Sequence, residues 1–179
     1  MHFNRKLKNE ELNRISLEEF KQLKKLPVTV VLDNIRSALN VGSVFRTSDA
    51  FAIERLILCG ITATPPHKEI NKTALGSTES VVWEYVNNSI EAIQQLKNNH
   101  YKIVVVEQAE KKIFLNKWNF STNDKIALVF GNEVDGVSQS VINVCDEVIE
   151  IPQFGTKHSL NVAVSVGIVL WEYIRCIDN

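Results

Sequence analysis

Apolar residues in this chain come in two rhythms. Short unbroken runs rich in Val, Ile and Leu alternate with stretches where apolar residues recur every three or four positions. The runs "LPVTVVLD" (26–33), "ERLILCG" (54–60), "SVVWEYV" (80–86), "YKIVVVEQ" (101–108), "KIALVFG" (125–131) and "DEVIEIP" (146–152) predict strands. Between them, "SLEEFKQLKKL" (16–26), "NVGSVFRTSDAF" (40–51), "KEINKTALG" (68–76), "SIEAIQQLKNN" (89–99), "SQSVINVC" (138–145) and "SLNVAVSVGIVLWEYIRC" (159–176) predict helices. Ser16 and Glu19 stand in capping-box spacing, and Asn40 and Ser159 stand where helix caps stand. Strands that are apolar throughout and alternate with helices imply an α/β fold, a mostly parallel sheet covered by helices on both faces.

The last helix is apolar on two faces. Leu160, Val164, Gly167, Ile168 and Trp171 share one; Val162, Val166, Val169 and Tyr173 share the other. One face can cover the sheet. The second calls for burial inside the monomer or against a partner subunit, and the expectation is a homodimer with Val166 and Val169 in the contact.

Composition adds little to this picture and excludes some classes. The 179 residues are 45% hydrophobic and 23% charged, as in a soluble single domain. Net charge is −1, so nothing global advertises nucleic acid. Residues 1–25 hold seven Lys/Arg against four Asp/Glu, and the rest hold thirteen against seventeen. The expected organisation is a short basic arm (1–25), able to meet phosphates or simply solvated, before one domain (26–179). Three isolated cysteines and no C-x-x-C fit a reducing compartment and argue against a disulfide scaffold or a zinc site. A polar N-terminus and a longest apolar helical stretch of only "NVAVSVGIVLW" lead to a cytoplasmic expectation.

There is no G-x-G-x-x-G, no P-loop and no G-x-S-x-G. His2, His67, His100 and His158 lack metal-ligand spacing. Three polar clusters remain, each at the C-terminal end of a predicted strand, where parallel sheets hold ligands. They are "DNIRSALNVGSVFRTSD" with Asn40 and Arg46, "FGNEVDGVS" with Glu133, and "IPQFGTKHSLN" with Ser159 and Asn161. Each also has a plain structural reading: caps at Asn40 and Ser159, an Arg46–Asp49 pair, and loop solvation by Glu133 and Asp135.

In this order, "NVGSVFRT", "LVFGNEVDGV" and "IPQFGTKHSLNVAVSVGIVLWE" resemble the three signature motifs of the SpoU-type RNA ribose 2′-O-methyltransferases, the TrmH family of the SPOUT superfamily. The resemblance runs from about Val28 to Arg175 and is densest in the third motif. It implies transfer of a methyl group from S-adenosylmethionine to a ribose 2′-hydroxyl without a metal. It also implies a deep C-terminal trefoil knot, which no residue pattern here displays, and an obligate homodimer. By the same resemblance the catalytic set is Arg46, Asn40, Glu133, Ser159 and Asn161. The methyl donor lies among the loops of Gly131, Ile151 and Leu160, with Gly131 admitting it close to the backbone. RNA is the implied partner. A tRNA is favoured, at the guanosine 18 ribose of the D-loop, because the final motif is most similar to the tRNA guanosine branch and few residues precede the first strand. Ribosomal RNA or another tRNA position, an inactive RNA-binding relative and a base-nitrogen methyltransferase are the alternatives.

Overall fold

The computed structural model describes residues 4–12, 15–121, 124–157 and 159–177; His2 and His158 lie outside the described residues. Seven strands make one sheet: β1 (Leu26–Asp33), β2 (Ile53–Cys59), β3 (Trp83–Val86), β4 (Tyr101–Val106), β5 (Ile113–Phe114), β6 (Lys125–Gly131) and β7 (Glu147–Glu150). Their order is β3-β2-β1-β6-β4-β7-β5, and every pairing is parallel. The two-residue β5, absent from the sequence expectation, pairs with β7 through Ile113 and Phe114. Two residues leave no periodicity to read.

Alternation along β1 divides the core. Val28, Val30 and Leu32 face one layer, with α2 (Ala38–Ala50), α3 (Lys68–Ala74) and α6 (Val162–Ile177). Val31 faces the other, with α4 (Ser89–Asn98) and the single-turn α5 (Gln139–Ile142). Both faces are therefore covered, as the unbroken apolar runs require. The N-terminal helix α1 (Leu17–Gln22) carries the predicted capping box at Ser16 and Glu19 and buries Phe20. Among the described residues no helix is long and apolar enough to cross a membrane.

The two faces of α6 have fates opposite to those expected. Val162, Val166, Val169, Leu170 and Tyr173 are buried within the monomer, and Phe120 stacks on Tyr173 at 4.5 Å between ring centroids. Val164, Ile168 and Trp171 remain exposed, Trp171 at 62%. Val166 and Val169 thus belong to the core, not to a subunit contact, because this face packs on α2 and β6.

Asp33 ends β1 and is 1% exposed. Its Oδ1 accepts from Asn34 Nδ2 at 2.8 Å and from the Ser89 hydroxyl, and its Oδ2 accepts from Ser138 N at 2.9 Å. One carboxylate thereby ties β1 to the starts of α4 and α5. Asp33→Asn turns a donor towards donors and should cost about 2 kcal/mol, seen as a lower urea midpoint with unchanged slope. Val166→Glu should cost about 4 kcal/mol or more, because it buries an unpaired charge. Thermal unfolding by circular dichroism would report a collapsed Tm, where an interface residue would leave a folded monomer.

Candidate active site

The three polar clusters converge because β1, β6 and β7 point the same way in one parallel sheet. After β1 the chain passes through Asn34 in a left-handed conformation, and Ser37 caps α2 by accepting from Asn40 N at 3.3 Å. Asn40 is therefore the third residue of α2, not its cap, and its amide is available elsewhere. Its Nδ2 donates to Glu133 Oε1 at 2.5 Å, and its Oδ1 accepts from Asn161 Nδ2 at 3.0 Å. Asn161 also caps α6, with Oδ1 accepting from Ala163 N at 2.9 Å and its carbonyl from Ser165 N at 3.0 Å. The cap expected at Ser159 thus falls two residues later, and Ser159 is left exposed on the rim.

The loop after β6 folds back on itself. Asn132 Oδ1 accepts from Val134 N and Asp135 N, both at 2.9 Å, and Gly136 N donates to Asn132 O at 3.1 Å. A Cβ on Gly131 would stand 2.1 Å from Val137 N and 2.2 Å from Gly136 O. Gly131 is thus demanded by the loop's own return path. Glu133 and Asp135 are not merely solvated: Glu133 holds Asn40, and Asp135 pairs with Arg36 at 3.1 Å.

A cleft of about 510 Å³ opens at the C-terminal ends of β4, β6 and β7, within the roughly 300–1,000 Å³ usual for small-molecule sites. Gly131, Ile151 and Leu160, expected around a cofactor, line it together with Glu133 and Ser159. Asn40 and Asn161 join its rim through Glu133. Apolar side chains of Val106, Phe130 and Val162 and the backbone of the 131–137 loop offer a surface for a flat ring.

Arg46 does not line this cleft. It is exposed on α2 and borders a second groove of about 820 Å³ with Phe20 and Leu23 of the N-terminal segment and Leu75 after α3. The Arg46–Asp49 pair does not form; Asp49 instead accepts from the Ser80 hydroxyl. Sequence reasoning missed three residues that shape the site: Asp33, Arg36 and Glu107. Glu107 takes Val137 N at 3.0 Å and Gln108 N at 2.7 Å, latching the loop after β6 to the end of β4. An acidic residue directly after a strand was the only available signal.

Comparison with known proteins places the chain. The SpoU rRNA Methylase family matches residues 27–171. A Neisseria meningitidis protein named 23S rRNA (guanosine-2′-O-)-methyltransferase RlmB is 30% identical over 164 residues, 91% of this chain and 64% of that protein. The chain therefore spans just under two thirds of that relative's length. An Aquifex aeolicus protein named tRNA (guanosine(18)-2′-O)-methyltransferase is 30% identical over 160 residues, 89% of this chain and 74% of that protein. The crystal structure of the A. aeolicus TrmH/SpoU tRNA modifying enzyme superposes with a TM-score of 0.80 at 28% identity, covering 90% of this chain and 81% of that one. An AdoMet-bound rRNA methyltransferase from Sinorhizobium meliloti superposes with a TM-score of 0.79 at 25% identity, covering 88% of this chain and 60% of that one. With the family match spanning most of its length, the chain belongs to the SpoU methylase family.

Proposed function

We propose that this protein transfers the methyl group of S-adenosylmethionine to the 2′-hydroxyl of a guanosine ribose in RNA. The observation that carries this reading is the Asn161–Asn40–Glu133 hydrogen-bond line, which joins all three motifs at the rim of the cleft. The cleft fits the methyl donor on its own terms. It has apolar walls for an adenine, backbone groups for polar edges, and several carboxylates for a cation. Relatives acting on 23S rRNA and on tRNA match this chain equally at 30% identity, and both names specify guanosine 2′-O-methylation. The tRNA target, guanosine 18, is kept as the first choice on the likeness of "SLNVAVSVGIVLWEYIR" to the tRNA branch, and 23S rRNA is the second.

When bound, the sulfonium supplies an activated methyl group with a good leaving group. The residues have the tasks of aligning a ribose oxygen and taking its proton. Gly131, Ile151 and Leu160 hold the donor, while Asn40, Glu133, Ser159 and Asn161 shape the rim where the ribose enters. Arg46 is assigned to an RNA phosphate. Its guanidinium offers five donors and no acceptor, suits a phosphate fork, and has no hydrogen-bond or ion-pair partner among the described residues. The protein acts as a homodimer through the exposed face of α6, where Val164, Ile168 and Trp171 form an apolar patch with nearby Leu160.

Two measurements test this. Arg46→Ala should lower methyl transfer to tRNA by about 100-fold or more, a loss of roughly 2.7 kcal/mol in transition-state stabilisation. Its affinity for S-adenosylmethionine by calorimetry should stay within a few-fold; near-normal transfer would remove Arg46 from the site. Ile168→Glu should give a folded monomer in sedimentation at micromolar concentration, and a monomeric unmutated protein would overturn the dimer.

A further inference from the structure

Four carboxylates line the cleft, those of Glu107, Glu133, Asp135 and Glu150, and among the described residues no lysine or arginine does. Two are neutralised from outside it. Arg36 pairs with Asp135 at 3.1 Å, and Lys112 with Glu150 at 3.3 Å. Among the described residues the other two have uncharged partners. Glu133 meets the Asn40 amide. Glu107 meets the backbone N–H groups of Val137 and Gln108, one on each oxygen. Glu107 is also fixed in place. A Cβ on Gly136, which has φ +68°, would lie 2.2 Å from its Oε2, so the returning loop presses directly on the carboxylate. The cleft wall therefore holds two fixed negative charges with no cation beside them among the described residues.

Resting on the methyltransferase reading above, we propose that Glu107, with Glu133, selects the charge state of the bound cofactor. The pair favours the cationic sulfonium over the neutral thioether left after transfer. The balance of the reaction gives the reason. The C–S bond breaks with its electron pair on sulfur, the methyl carbon bonds the ribose oxygen, and the hydroxyl proton passes to water. The ligand loses its positive charge while the wall keeps both negative ones. Attraction between charges in a partly enclosed cleft is screened less than in open water. The spent cofactor is thus held less firmly than the fresh one, which favours its release and exchange.

The test is calorimetric, with three ligands: S-adenosylmethionine, S-adenosylhomocysteine, and sinefungin, which carries an ammonium in place of the methylated sulfur. Glu107→Gln removes the charge and keeps an acceptor for a backbone amide. It should weaken S-adenosylmethionine and sinefungin roughly three- to thirtyfold and leave S-adenosylhomocysteine within about twofold. Glu133→Gln should give the same pattern if Glu107→Gln fails to fold. Equal weakening of all three ligands would make Glu107 a loop latch only and overturn the proposal, as would no change in any. Unmutated protein that binds none of the three would remove the methyltransferase reading itself, a result separable from either of those.

Discussion

A buried carboxylate with no cation beside it among the described residues governs the working edge of this sheet. Taking Asp33 out of water is tolerable only because three donors from separate segments meet it: Asn34, Ser89 and Ser138. Those segments cannot drift apart without stranding a charge. The end of β1, the start of α4 and the start of α5 are thereby held to one geometry, and the loop that forms one wall of the cleft is anchored at its far end. A leucine at this position would fill the space but hold none of the three.

The cleft is then built less from dedicated side chains than from the way loops leave parallel strands. Gly131 lets the loop after β6 return across its own start, Glu107 catches that loop from β4, and Asn161 starts α6 where its amide can reach Asn40. Arg36 and Asp135 add an exposed pair across the same gap, a link of small energy in open water. Most of these contacts join residues far apart in sequence, so the site exists only when the whole sheet does. Arg46 stands apart from this cleft, facing a second groove beside the N-terminal segment.

The strands, the two-sided covering of the sheet and the clustering of motifs at one edge were legible because unbroken apolar runs report burial on both faces. Sheet order was not, since a valine run carries no record of its neighbours. The caps were misplaced for a related reason. Ser37 and Asn40, like Ser159 and Asn161, are all competent caps, and only tertiary contacts decide which of each pair is released for other work. The two apolar faces of α6 were visible, but periodicity measures how much of a helix is apolar, not which face meets the sheet. Gly131 was noticed for its position, but the returning loop it sits against was not visible. Glu107 was passed over because one acid after a strand looks like any solvated loop residue.

The line from Asn161 to Glu133 runs one way. An amide has an accepting end and a donating end, and the oxygen of Asn161 is already committed to Ala163 N in the first turn of α6. Its nitrogen must therefore face Asn40, whose oxygen answers it and whose nitrogen is left for Glu133. The orientation of each group is dictated by the one before it, beginning with an unsatisfied N–H at a helix end. An aspartate at either asparagine would set acceptor against acceptor and break the sequence of donors. The first turn of the last helix thus fixes the direction in which a carboxylate more than two dozen residues upstream is addressed.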